Sequence, residues 1–154
     1  MELPLADATL RSGTASEFDR HVQSLEARSR RILSCTPRDS FAWLVAFGLE
    51  VERGVSVHAF DLLAASYETS PNEAWVGLRR IIVATPLALA APEHIRRMIL
   101  DEFQNLVRHR FVEIPARVYF NAPVDIRALL ESRIEQLNPS SKKLFSEELG
   151  KLRS

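Results

Sequence analysis

A chain of 154 residues in which 46% of side chains are apolar and 26% charged can bury a substantial core, and that balance excludes wholesale disorder. The 20 basic side chains match 20 acidic ones, but they are unevenly placed: residues 1–75 carry 7 basic and 11 acidic groups, residues 76–154 carry 13 and 9, so the halves come to −4 and +4. Such an asymmetry can orient a partner or favour head-to-tail association, yet it is too weak to imply nucleic acid without a denser basic face.

The first 13 residues lack a basic stretch followed by a continuous apolar run, so they are read as a loosely ordered arm and not as a secretory signal. A helix is expected from Ser16, with Ser16 as N-cap and Glu17 and Asp19 in the first turn, where negative charge meets the positive end of the helix dipole. Phe18, Val22, Leu25 and Ile32 supply its apolar stripe, and Arg28, Arg30 and Arg31 suit its C-terminal pole. Cys35 is the single cysteine, so no internal disulfide can form and a reducing, cytoplasmic setting is expected.

The next helix starts near Ser40 and is apolar nearly all round through Phe41, Trp43, Leu44, Val45, Phe47, Leu49 and Val51, which requires cover on more than one side. Gly54 then permits the chain to reverse, and a partner helix from about Ser56 carries Phe60, Leu62, Leu63 and Tyr67. Ser70-Pro71-Asn72-Glu73 has the form of a capping box, which predicts a third main helix from Pro71 to about Ala84. Trp75, Leu78, Ile81 and Ile82 form its apolar stripe, with Arg79 and Arg80 at the edge. After a connector at 87–91, Pro92-Glu93 opens a longer helix to about Arg110, with Ile95, Ile99, Phe103, Leu106 and Val107 at core spacing.

Pro115 is expected to break the pattern and leave at most a short helix over 116–121. Asn121-Ala122-Pro123 with Asp125 opens another helix, whose Ile126, Leu129, Leu130, Ile134 and Leu137 keep helical periodicity until Asn138-Pro139, and a last helix runs from about Ser141 to Leu149. No alternating strand pattern of useful length occurs. The expected fold is all-α, with six or seven helices in antiparallel succession within one domain. Its parts are the arm at 1–13, a core at 40–110 and a C-terminal helical cap at 116–154. The longest apolar run, 81–91, is interrupted by Thr85 and Pro86 and falls far short of the roughly 20 residues that span a bilayer.

Trp43, Gly54, Ala59, Leu63, Ser66 and Pro71 follow one another in the order and spacing of a tetratricopeptide repeat, and Pro37 and Pro71 stand one 34-residue period apart. The segment at 40–73 resembles that family, with a degenerate second copy from near Ala74. It departs from the pattern at Phe47, where a small residue is favoured, and at Glu50, where an aromatic is favoured. The resemblance implies stacked helical hairpins, a short array or α-α superhelix with a C-terminal extension, and a groove lined by the first helix of each repeat.

Laid onto this sequence, that groove falls at Phe41, Leu44, Gly48 and Val51 and, one period later, at Trp75, Leu78 and Ile82. Its apolar character suits an amphipathic helix better than a charged peptide tail. The helix from Pro123 to Leu137 can serve as an internal lid, and a helix from a second copy or from another protein can fill the same place. The resulting expectation is a non-enzymatic protein-interaction module, an adaptor, co-chaperone or assembly factor, with no cofactor and no catalytic residues.

The alternative is a nucleic-acid-associated regulator using Arg96, Arg97, Arg108, His109 and Arg110, although Glu93, Asp101 and Glu102 dilute that field and stacking aromatics are sparse. His109 and Glu113 stand four apart, but Pro115 follows closely and no third ligand has a persuasive spacing for zinc. His21, His58 and His94 have no catalytic context. No nucleophile elbow or glycine-rich phosphate loop is present.

Overall fold

The computed structural model describes residues 15–153, which form eight α-helices and one 3-10 turn with no strand among them. The helices are α1 (Ala15–Cys35), α2 (Ser40–Arg53), α3 (Val57–Thr69), α4 (Ala74–Ala84), α5 (Glu93–Arg108), α6 (Glu113–Asn121), α7 (Val124–Ile134) and α8 (Pro139–Arg153), with the 3-10 turn at Thr85–Leu87. The all-α expectation holds, with one helix more than the periodicity suggested. The arm expected at 1–13 lies outside the described residues. The chain divides into two compact units that meet in sequence at Ser70 and Pro71, inside the 40–110 stretch expected as one core.

In the first unit α2 packs on both α1 and α3, which explains why it is apolar nearly all round. Asp39 caps α2 through its carboxylate, which accepts from Ala42 N–H at 2.9 Å, and Ser56 caps α3 by accepting from Ala59 N–H at 3.2 Å. Between them Gly54 adopts φ 143°, ψ 146° and donates its N–H to Glu50 O and Val51 O. That backbone region is essentially restricted to glycine, so the reversal between α2 and α3 depends on this residue.

The α2–α3 hairpin is closed by small and polar groups as well as by large apolar ones. Ala59, Leu63 and Ser66 are fully buried on α3, and Ser66 Oγ donates to Ser40 O at 2.8 Å. Phe47 and Phe60 fill the centre with ring centroids 6.4 Å apart. On the other side, buried Ser29 of α1 donates to Ala42 O at 3.0 Å. Arg53 pairs with Glu26 at 2.5 Å, joining the end of α2 to α1.

In the second unit α5 is the centre, packed by α4, α6, α7 and α8. Ile95, Ile99, Phe103 and Val107 of α5 are at most 1% exposed, as their core spacing predicts. Phe145 of α8 meets Phe103 edge-on at 6.0 Å and Tyr119 of α6 edge-on at 5.8 Å. Gln104 Nε2 donates to Arg133 O at 2.9 Å, and Arg133 pairs with Asp101 at 3.0 Å, which ties α7 to α5.

Four local expectations change. The predicted capping box at 70–73 does not form. Ser70 instead terminates α3 with φ −156° and ψ 80°, residues 71–72 make a turn, and α4 starts at Ala74 with Glu73 at the N-cap making no side-chain cap bond. Pro115 does not break a helix but lies in the first turn of α6, where a missing N–H costs nothing because those donors have no intrahelical partner. The last helix is longer than expected, beginning at Pro139 and reaching Arg153. Arg80, expected at the edge of the α4 stripe, is 0% exposed.

Candidate functional site

The groove positions divide between the two units, with Phe41, Leu44, Gly48 and Val51 on α2 and Trp75, Leu78 and Ile82 on α4. Leu44 is only 5% exposed and belongs to the buried row Ser40–Leu44–Phe47, so no partner reaches it without unpacking α2. Phe41 and Val51 are half-buried. On α4 the picture differs: Trp75 is 56% exposed, Ile82 is 45% exposed, and Leu78 between them is half-buried.

The reason lies in how α4 divides its two sides. Val76, Gly77, Arg80, Ile81 and Ala84 are buried and form the inner face. Trp75, Leu78 and Ile82 follow at intervals of three and four, the spacing of a second helical row. A short helix with apolar residues on both rows leaves one of them outside.

The inner face is held by an unusual arrangement. The buried guanidinium of Arg80 donates from Nε to both oxygens of Glu102, at 3.0 and 3.1 Å, and from Nη2 to Oε1 at 2.7 Å. Buried charge is tolerated only with such compensation. The absence of a side chain at Gly77, one turn before Arg80, makes room for the carboxylate.

The basic residues of α5 do not act as one face. Arg96 is occupied by backbone, donating to Ala88 O at 2.9 Å, Leu89 O at 3.1 Å and Ala91 O at 3.2 Å, so it closes the connector after α4. Arg97 is exposed. Arg108, His109 and Arg110 gather at the C-terminal end of α5, where His109 Nδ1 lies 2.8 Å from Asn105 O. His109 is the C-cap of α5 and Glu113 is the first residue of α6, so the two stand on different helices, and Glu113 pairs with Arg117 at 2.6 Å. Among the described residues no group of three or more His, Cys, Asp or Glu side chains is placed to hold a metal ion.

Clefts among the described residues accompany these surfaces. One of about 190 Å³ in the first unit has Leu33, Leu49 and Leu62 in its wall, and its charges satisfy one another: Glu26 pairs with Arg30 and Arg53, and Arg53 with Glu50 at 3.6 Å. Another, about 360 Å³, lies in the second unit between the end of α5 and the start of α8, lined by Arg108, Arg110, Asn138, Ser140, Ser141, Lys143, Leu144 and Glu147. Reading along the chain finds Arg108 and Arg110 but misses the α8 residues, which stand about thirty positions away. A serine pair following an N-capping asparagine was the available signal.

Comparison with protein-family models, curated proteins and solved structures gives no match. Among the described residues no helix is long and apolar enough to cross a membrane.

Proposed function

We propose that the chain is a non-enzymatic interaction module of the tetratricopeptide-like kind, an adaptor, co-chaperone or assembly factor whose α4 receives an amphipathic helix, from another protein or from a second copy. The observation that carries this reading is the exposed row Trp75–Leu78–Ile82. A tryptophan and an isoleucine about half exposed on the same helix form the kind of apolar patch that marks a docking surface. Support for the family comes from the α2–α3 hairpin, where Gly54 takes a glycine-only conformation and the small positions Ala59 and Ser66 lie at the helix contact.

The proposal narrows the earlier groove to its α4 half, because Leu44 is committed to the core. The exposed thiol of the single cysteine, Cys35, fits a reducing compartment, and we place the protein in the cytoplasm as part of the same reading. The nucleic-acid alternative is weaker, since Arg96 spends its guanidinium on three carbonyls and leaves no continuous basic track along α5.

A photo-crosslinking residue at position 82 of the full chain, expressed in its source cell, tests the reading. Crosslinks to an amphipathic helical segment that vanish in a Trp75→Ser, Leu78→Ser variant of unchanged circular dichroism support it. A variant that unfolds, or crosslinks indifferent to the substitutions, removes the α4 site.

A further inference from the structure

We infer that the cleft between the C-terminal end of α5 and the N-terminal end of α8 binds a phosphate monoester of a small molecule, held by Arg108, Arg110 and Lys143 and by the Ser140 and Ser141 hydroxyls. This site is independent of the α4 surface. Three cations line the cleft against one carboxylate, Glu147, which sits a loose 3.9 Å from Lys143. Arg108 reaches only the neutral side chain of Asn105, at 3.2 Å, and Arg110 meets no carboxylate among the described residues. The surplus of two positive charges matches a dianionic monoester.

The α8 side of the cleft contributes donors. Asn138 accepts from Ser141 N–H at 2.8 Å and from Ser140 Oγ at 2.7 Å, which sets the first turn of a 15-residue helix with its positive pole at the cleft. Ser141 is 3% exposed and lines the cleft, yet its hydroxyl has no hydrogen-bond partner among the described residues. Opening to the cleft, that hydroxyl is available to donate to a phosphate oxygen there.

Backbone geometry on the α5 side places a cation where glycine is usual. Arg110 has φ 70°, and the bonds Arg110 N–H to Val107 O and Phe111 N–H to Leu106 O are those of a Schellman turn. Glycine occupies that position at lower cost, so the arginine carries a backbone strain there that glycine would not. A volume of about 360 Å³ accommodates a phosphate together with a small organic group, for which Leu144 provides an apolar wall. A phosphodiester polymer requires a longer track of cations, and Arg96 is turned away to the Ala88 to Ala91 carbonyls.

Titration of the full chain with phenyl phosphate, followed by amide resonances, tests the site. Saturable shifts at Ser140, Ser141 and Lys143 are expected. Arg110→Gly, which keeps the turn and removes the charge, is expected to weaken binding about tenfold, and Arg110→Lys to restore part of it. A single-stranded oligonucleotide at equal phosphate concentration should shift the same amides less. Absence of saturable shifts there, unchanged affinity in Arg110→Gly, or an oligonucleotide that equals phenyl phosphate would each overturn the assignment.

Discussion

Gly77 of α4 gives up its side-chain volume to Glu102 of α5: a Cβ at position 77 would stand 2.9 Å from Glu102 Oε1 and 3.3 Å from its Cδ. The same carboxylate receives three hydrogen bonds from the buried guanidinium of Arg80. Glycine therefore tolerates its helix-propensity deficit in mid-helix because the pair needs the space.

Glu102→Ala is expected to destabilise the protein by about 3 kcal/mol, the range for removing one member of a buried ion pair. Denaturant unfolding measures this. Gly77→Ala should cost stability while Glu102 is present and recover about 1 kcal/mol of helix propensity once Glu102 is alanine. Equal effects in both backgrounds would show that Gly77 and Glu102 are not coupled.

Arg110→Gly should raise stability by about 1 kcal/mol, since it relieves a left-handed conformation that costs non-glycine residues on that order. A higher urea midpoint at an unchanged slope is the expected signature. A lower midpoint would mean that the arginine side chain makes a stabilising contact larger than the strain.

Ile82→Ser, on the outer row of α4, is expected to cost about 1 kcal/mol or less, whereas Phe47→Ala, at 0% exposure, should cost about 3–5 kcal/mol. Thermal unfolding of the two variants side by side separates docking surface from core. Comparable losses would place Ile82 in the core.

Tyr119 links α6 to α7 by donating to Glu131 at 2.6 Å. Burial, followed by that hydrogen bond, raises its pKa above the usual 10.0. The neutral phenol is the form the fold favours, so its contribution is complete below pH 10 and is lost as pH rises through the raised value. Tyr119→Phe keeps the ring against Phe145 and should lose roughly 0.5–1 kcal/mol at neutral pH. The gap to the parent should close above pH 10, measured by urea titration at each pH.

Much of the architecture was legible because it rests on local rules. The hairpin at Gly54, the core spacing of Ile95, Ile99, Phe103 and Val107, and the apolar wrap of α2 all follow from periodicity and turn chemistry. The misplaced start of α4 shows their limit. Ser70-Pro71-Asn72-Glu73 has every residue of a capping box, but residues 71–72 form a turn and α4 starts only at Ala74, which leaves Glu73 at the N-cap and Ser70 three residues upstream of it.

The candidate sites were legible only in halves. Trp75, Leu78 and Ile82 could be picked out as apolar, but so could Leu44, and only packing determines which of them meets water. Residue order alone determined an all-helical chain with its turns and its supply of apolar faces, because those depend on contacts within a few positions. Tertiary structure decided that Arg80 is buried, that Arg96 is tied to backbone, and that Arg108 and Arg110 share a cleft with Ser140 and Ser141. Each outcome turns on a partner distant in sequence, and the energy of a charge is set by what surrounds it.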